Sequence, residues 1–422
     1  MQKAFLRIGQ NTATILLVNI FGSLIGFLMA AALGRNLGDA GFGQYTFVLT
    51  WFLSLTLFAE FGLSTVLTRD LAARPTQTTA YLTHSLVTKT LLSLPIVVGF
   101  LLFAPYIAPA QNPVVAAALR WGTLFFYSGL VYSSLTAVFN AYQMMTPLLW
   151  ITVVGQTILF GGTLFLLLSD QSLAWIVAWA GISQSLQCGL AYLFFRRLRL
   201  TATTDPWRVD RALIKTLLVK AWPFALAGFL AAIQLRASVL LLSYLDGDQA
   251  LGWYAAANRF VETGRQLPGA FYTAILPAMA AMAHDPGQFH TLKTTLNRAK
   301  VGLLLFGLAA VIGAWFLSQF VITLTYGTGY QPAVIILQVL ALMLIPNGQN
   351  SLLVIYLYAC NDEKFVNVLL AGGTVLNLGL SLWLIPRWGP LGTAAALLIA
   401  ESVLYFGYRQ RAAQRMKAVT QP

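Results

Sequence analysis

Long apolar segments, separated by proline, glycine and charged residues, divide the sequence along its whole length. Twelve of them reach about 20 residues, the length that an α-helix needs to cross a bilayer. They lie at approximately residues 11–33, 42–68, 80–104, 115–140, 147–168, 172–195, 213–244, 250–280, 296–324, 332–359, 365–385 and 391–408. The first follows Lys3 and Arg7 and is longer than a signal-peptide core, which predicts an uncleaved span. The pattern predicts an all-α polytopic membrane protein with about 12 transmembrane helices.

Polar residues interrupt the apolar pattern most strongly between residues 222 and 277, in the seventh and eighth segments. These residues are Arg236, Asn258, Arg259, Glu262, Arg265 and Gln266. An arginine at the centre of a spanning helix costs about 2.5–3.5 kcal/mol on insertion scales, so three arginines need a polar environment. At about 100° per residue, the five polar positions of the eighth segment fall on one side of a helix.

This polar side has two interpretations. Glu262 lies one turn from both Arg259 and Arg265 and can pair with only part of their charge at a time, so the arginines could face an internal anion-binding cavity. Alternatively, they form interhelical salt bridges or extend to the outer surface. The tenth segment is similarly ambiguous, because Asn347 and Asn350 next to a helix-breaking proline either line a wet cavity or bond to neighbouring helices. Our candidate substrate-binding residues are the six polar residues above together with these two asparagines.

Composition excludes a single aqueous domain. Hydrophobic residues make up 58% of the 422 residues, charged residues only 9%, and the mean hydropathy is +0.73. This is more apolar surface than a water-soluble fold of this size can bury. The two cysteines and three histidines have no ligand-like spacing, so we expect neither metal, cofactor nor disulfide.

The charge pattern predicts the orientation in the membrane. A net charge of +13 and a pI near 9.9 would also suit a nucleic-acid-binding protein. However, most lysines and arginines fall on one side of the membrane, and these include Arg69, Arg74, Lys89 and the cluster between residues 196 and 220. By the positive-inside rule this side is cytoplasmic, so we expect both termini in the cytoplasm and no nucleic acid as a partner.

The basic connection around Pro206 divides the chain into two sets of six predicted spans. We expect a six-helix bundle at residues 1–200, a cytoplasmic linker at 201–220 and a second six-helix bundle at 221–422. Gly43 and Tyr45 correspond to Gly252 and Tyr254 at one constant shift, and residues 141–147 correspond to 359–365 at a similar one. Either this reflects an internal duplication, with a pseudo-twofold axis along the membrane normal and a central cavity between the bundles, or it is chance similarity between glycine-containing loops.

Several short motifs together resemble one family. They are Leu37-Gly38, Phe42-Gly43-Gln44-Tyr45, Phe61-Gly62-Leu63 followed by Arg69, Asn377-Leu378-Gly379-Leu380, Leu384-Ile385-Pro386 and Gly389-Pro390-Leu391-Gly392. They resemble the polysaccharide transporter branch of the multidrug, oligosaccharidyl-lipid and polysaccharide exporter superfamily. The resemblance implies a Wzx-type flippase of undecaprenyl-pyrophosphate-linked oligosaccharide in the bacterial inner membrane, serving O-antigen, capsule or exopolysaccharide synthesis. It also implies a cationic cavity, which Arg236, Arg259 and Arg265 fit by location.

Other functions remain open at this stage. Lipid II flippases resemble the chain, but they usually have two further spans and carry an arginine in their first span. Multidrug exporters commonly place a coupling carboxylate in the N-terminal half, where Glu60 is the candidate. A glycan-polymerising enzyme would need a large outer loop, and the predicted outer connections are short, while a scaffold would not need buried arginines. As partners we expect the lipid-linked diphosphate, membrane lipid and, through the pathway, a glycan polymerase and glycosyltransferases.

Overall fold

The computed structural model describes residues 2–198, 210–283, 287, 289–360 and 362–420, with the backbone alone at some positions, most of them within 2–17 and 266–289. None of these residues forms a strand. The helices are α1 (Gln2–Glu60), α2 (Leu63–Ala73), α3 (Thr78–Ile107), α4 (Pro113–Ala141), α5 (Met145–Leu168), α6 (Leu173–Arg197), α7 (Arg211–Ala283), α8 (Phe289–Tyr326), α9 (Pro332–Ala359), α10 (Glu363–Trp388) and α11 (Pro390–Thr420). The predicted all-α architecture is therefore confirmed.

Most of these helices can cross a membrane. Nine helical stretches of the described residues are long and apolar enough to do so. Val18–Glu60 contains a backbone break at Gly38, and Phe224–Arg265 contains one at Gly247. Each of these stretches therefore includes residues of two predicted spans. α6, with 25 residues, corresponds to the remaining predicted span. The chain is thus a multi-pass membrane protein, as its hydropathy predicts.

The breaks in α1 and α7 are conformationally equivalent. Gly38 has φ 70° and ψ −178°, and Gly247 has φ 88° and ψ 180°. Glycine adopts such positive φ values without the steric cost that a Cβ atom would bring. The two glycines are separated by the same shift as Gly43 and Gly252, so the structural break repeats where the sequence repeats.

Close backbone packing follows each break. A Cβ atom added at Gly43 would overlap the backbone carbonyl oxygen of Asp248, and one added at Gly252 would overlap that of Asp39. Asp39 also accepts hydrogen bonds at Oδ2 from Gln249 Nε2 (2.8 Å) and from Trp253 Nε1 (3.0 Å). The two glycines are therefore required because each lets one helix approach the backbone of the other.

A second pair of equivalent turns supports the predicted duplication. The turn after α4 is closed by a hydrogen bond from Met144 N to Phe139 O at 2.9 Å, and the turn after α9 by one from Asp362 N to Leu357 O at 2.9 Å. The two bonds join residues at the same spacing, and their donors lie in the segments 141–147 and 359–365, which correspond in sequence.

The helices form two compact units, each with its own apolar core. The first comprises Met1–Leu37 and Gln44–Arg236, and residues such as Leu67, Phe139 and Ile151 form its core. The second comprises Gly38–Gly43 and Ala237–Pro422, with Leu353, Tyr356 and Leu404 in its core. Of the predicted linker 201–220, residues 201–209 lie outside the described residues, and the chain is helical from Arg211 onward. The predicted bundle boundaries stay a prediction.

One predicted span ends earlier than its hydropathy indicates. The segment 42–68 is interrupted because Phe61 and Gly62 have φ values of 50° and 69°, so α1 ends at Glu60 and α2 is a separate helix of 11 residues. A Cβ atom at Gly62 would lie 3.0 Å from the carbonyl oxygen of Ala221. The break therefore lets the start of α2 approach the backbone of α7.

Candidate functional site

The polar side of α7 holds one weak ion pair. Asn258 Nδ2 donates to Glu262 Oε1 at 3.0 Å, and Arg259 Nη1 lies 3.4 Å from Glu262 Oε2. The side chain of Glu262 is 51% exposed, and an ion pair this open contributes only about 0–1 kcal/mol. Arg259 Nε is buried and has no hydrogen-bond partner in the described part of the structure. Glu262 therefore neutralises Arg259 only in part.

Arg265 lies one turn further along α7 and faces a small cavity in the second unit. The cavity has a volume of about 180 Å³. Its polar lining comes from Arg265, Tyr272, Asn347 and Ser351, and its remaining walls from Pro268, Leu303, Phe306, Leu344 and Gly348. Among the described residues no carboxylate pairs with Arg265. The structure thus brings together Arg265 and Asn347, two of the residues that sequence reasoning selected.

The other wall of this cavity is shaped by the polar interruption in α9. Pro346 has no N–H with which to continue the helical hydrogen bonds, and Gly348 leaves room beside its backbone. The hydroxyl of Tyr272 donates to Gly348 O at 3.0 Å. Asn347 and Gly348 therefore line this cavity, whereas Asn350 does not.

Asn347 and Asn350 both bind Glu401 of α11, a residue that the sequence analysis did not select. Asn347 Nδ2 donates to Glu401 Oε1 at 3.2 Å, and Asn350 Nδ2 donates to Glu401 Oε2 at 2.7 Å and to its backbone oxygen at 2.9 Å. Glu401 is 7% exposed. A signal was available, because Glu401 is the single acidic residue of the apolar segment 391–408, and a carboxylate within a span is rare without a function.

The structure gives less detail for the remaining two candidate residues, Arg236 and Gln266. Arg236 lies half-buried in α7 at the end of the first unit. The side chain of Gln266 lies outside the described residues, although its backbone continues α7.

Lys89 requires a correction to the orientation argument. The positive-inside argument counts Lys89 on the cytoplasmic side, but this residue lies inside α3 and is 1% exposed. Its Nζ donates to Ser64 Oγ (2.9 Å) and Ser133 Oγ (2.8 Å) and is 3.9 Å from Glu60 Oε1. Lys89 is therefore a buried cation of the first unit with its own polar partners, and it carries no information on topology.

Comparison with known proteins identifies the family of the chain. A family model described as polysaccharide biosynthesis protein matches residues 8–283, most of the chain. The chain belongs to this family. The resemblance to polysaccharide transporters is thereby confirmed. No curated protein matches the chain.

Solved structures of transporters share the fold. An inward-facing multidrug resistance MATE family transporter of the MOP superfamily is 14% identical, with a TM-score of 0.77 over 95% of this chain and 96% of the other. Lipid II flippase MurJ in an inward closed conformation is 15% identical, with a TM-score of 0.77 over 96% and 89%. A MOP superfamily transporter from Pyrococcus furiosus is 14% identical, with a TM-score of 0.65 over 99% and 96%. The chain has the fold of these transporters.

Proposed function

We propose that the protein is a flippase that moves an undecaprenyl-diphosphate-linked oligosaccharide from the cytoplasmic to the outer leaflet of a bacterial inner membrane. Transport proceeds by alternating access and supplies O-antigen, capsule or exopolysaccharide synthesis. Membership in the polysaccharide biosynthesis family and the multi-pass transporter fold support this proposal. Both termini are cytoplasmic, and the glycan polymerase and glycosyltransferases of the pathway are functional partners.

The observation that carries the proposal is the Arg265 cavity. A lipid-linked diphosphate brings about two negative charges out of water, and burying an unpaired ion costs several kcal/mol even after relaxation. A guanidinium offsets this cost through charge-assisted and often bidentate hydrogen bonds. Arg265 faces a cavity with polar lining and has no carboxylate partner among the described residues. Its charge is therefore available to an anion.

The partial pairing of Arg259 suits the same task. Glu262 holds Arg259 through one long contact and is open to solvent on its other side. A diphosphate can displace so weak a partner at small cost, and the carboxylate can recover the arginine when the substrate leaves. Binding is then firm enough for selection and weak enough for release.

Two other transport functions are ranked behind this one. A lipid II flippase is second, because lipid II also carries a diphosphate and the fold is shared with MurJ. A cation-coupled multidrug exporter is third, because the fold is shared with MATE transporters but the cavity lining includes a cation. Complementation of cells depleted of their lipid II flippase separates the first two functions.

Substitution of Arg265 tests the proposal. We expect Arg265→Ala to abolish glycan export in cells that lack their own flippase, and Arg265→Lys to restore it poorly because an ammonium does not reproduce bidentate contacts. Arg236→Ala should also abolish export. The matched control is Arg387→Ala, since Arg387 lies in the last turn of α10, donates to Trp383 O there and lies over the Trp383 ring.

The readout combines export with the amount and melting temperature of the protein. Loss of export with normal protein level and normal melting supports an anion site. Export that survives Arg265→Ala, or that falls only in proportion to protein level, would refute it.

A further inference from the structure

A groove runs between α3 and α4 in the first unit, far in sequence from the Arg265 cavity. Its volume is about 690 Å³, and its lining runs from Thr90 to Leu101 on α3 and from Arg120 to Tyr127 on α4. At about 1.5 Å per residue the α3 side of this α3–α4 groove is about 16 Å long. The hydrocarbon core of a bilayer is about 30 Å thick, so the groove has the length of one leaflet.

The hydroxyl groups in the lining of the α3–α4 groove are bonded within the protein. Ser93 Oγ donates to Thr90 O at 3.1 Å, and Thr123 Oγ1 donates to Arg120 O at 2.6 Å. The hydroxyls of Thr90 and Tyr127 share a hydrogen bond of 3.1 Å between the two helices. The rest of the lining on α3 is leucine and valine. The groove therefore suits a hydrocarbon chain better than a sugar or another polar ligand.

The α3–α4 groove lies between a buried side and an exposed side of α3. On the buried side Phe100 packs against Phe52 of α1, with ring centroids 5.1 Å apart. On the other side Leu91, Val98 and Leu102 are exposed and do not line the groove. In a membrane-spanning helix an exposed apolar face of this kind contacts lipid. A lipid chain can therefore enter the groove sideways from the bilayer.

One end of the α3–α4 groove carries a positive charge. Arg120 is exposed and lies about 10 Å along α4 from Pro113, and it forms no ion pair with the described residues. The ring of Trp121 stacks on that of Trp175, at the start of α6, with centroids 6.3 Å apart. Tryptophans concentrate at membrane interfaces, and a long arginine side chain can extend to the headgroups. This end of the groove therefore lies near the phosphates of one leaflet.

We propose that the α3–α4 groove binds one anionic phospholipid, with an acyl chain along the groove and the headgroup phosphate at Arg120. A guanidinium binds phosphate through charge-assisted and often bidentate hydrogen bonds. No carboxylate is among the described residues that line the groove, so the ammonium of a zwitterionic headgroup finds no partner there. A net anionic headgroup is therefore preferred. On the orientation proposed above the lipid belongs to the outer leaflet, where the positive-inside rule gives an arginine no role.

The test compares two lipids that differ only in the headgroup. The purified protein in detergent is mixed with phosphatidylglycerol or with phosphatidylcholine of the same acyl chains, and bound lipid is counted by native mass spectrometry. We expect one phosphatidylglycerol per chain to bind about fivefold more tightly than phosphatidylcholine, the advantage of one arginine beside an anionic lipid. Phosphatidylglycerol should also raise the melting temperature more, because a ligand of the folded state stabilises it.

Matched variants separate the charge from the groove. Arg120→Gln should remove the preference for phosphatidylglycerol, whereas Arg387→Gln should keep it, since Arg387 is also an exposed arginine beside a tryptophan but lies in α10. Val97→Phe should weaken binding of both lipids because Val97 lines the groove, and Val98→Phe, on the exposed side, should weaken neither. Melting temperatures show whether each variant is folded. Leu101→Trp fills the groove from its exposed edge if Val97→Phe does not fold.

The outcomes distinguish the possible occupants. Equal affinity of the natural protein for the two lipids, or a preference that survives Arg120→Gln, would overturn the proposal. Displacement of phosphatidylglycerol by undecaprenyl phosphate at equal concentration, in a manner sensitive to Val97→Phe, would assign the groove to a polyprenyl chain instead. A dimer that Val97→Phe dissociates would assign it to a second copy of the chain. None of these results bears on the Arg265→Ala export test, so the proposed function stands or fails separately.

Discussion

Gly43 and Gly252 face backbone on both sides of one helix crossing. The carbonyl oxygen of Asp248 occupies the space beside Gly43, and that of Asp39 occupies the space beside Gly252. We expect Gly43→Ala and Gly252→Ala to destabilise the protein by similar amounts, because the two contacts are equivalent. Backbone cannot rotate away as a flexible side chain can, so each added methyl group must push the two segments apart.

The magnitude follows from two opposing effects. Overpacking a close-packed interior costs about 1–3 kcal/mol, and a backbone obstacle belongs in the upper part of that range. Alanine is about 1 kcal/mol better than glycine within a helix, which offsets part of the loss. We therefore expect each variant to lose about 1–2 kcal/mol. Once one methyl group has separated the segments, the second finds room, so the double variant should lose at least about 0.5 kcal/mol less than the sum.

Equilibrium unfolding in detergent, followed by tryptophan fluorescence, measures these differences. Gly99→Ala in α3 is the matched control, because among the described residues no atom beyond the nearby backbone of α3 lies within 4 Å of its added Cβ, and this variant should be unchanged or slightly more stable. Fully additive losses in the double variant would refute the reciprocal contact. Unchanged stability of both single variants would refute the close approach itself.

Two further predictions concern ionised side chains. Arg411 donates to Asp362 at 2.6 and 3.1 Å and Arg415 at 2.9 Å, and these bonds hold the pKa of the Asp362 carboxyl well below its usual range. Its contribution to stability is therefore complete above the unfolded pKa of about 4 and is lost as the pH falls toward the lower folded pKa. Asp362→Asn should lower the melting temperature at neutral pH, and the difference from the natural protein should shrink below about pH 4; a constant difference would contradict the ion-pair account. Lys89→Ala should lower stability by about 3 kcal/mol, and Glu60→Gln by less, because Lys89 keeps the hydroxyls of Ser64 and Ser133. Equal losses in thermal melting would show that Glu60 is its main partner.

The positions of the spans could be predicted because the information is local. Length and apolarity mark a span within one stretch of chain, and the repeated glycines mark Gly38 and Gly247 as equivalent. The end of α1 at Glu60 could not be predicted in this way. The apolar pattern continues into α2, and the need for Gly62 arises from the backbone of Ala221, which is distant in sequence. The hydropathy of a segment does not depend on such a distant contact, so it cannot predict where α1 ends.

The buried charges show why local patterns select some site residues and miss others. Lys89 lies near one end of an apolar segment, where a loop and an interior position have the same local sequence, and only its contacts with Ser64 and Ser133 show that it is interior. In the second unit, Arg265 and Glu401 both interrupt apolar segments. A purely structural pair of opposite charges would be expected to meet, since breaking a buried pair costs about 3–5 kcal/mol. Among the described residues these two do not pair, and Asn347 contacts one of them while lining the cavity of the other. Because Arg265 is not neutralised by a carboxylate of the described residues, its charge remains available to the anion of the proposed function.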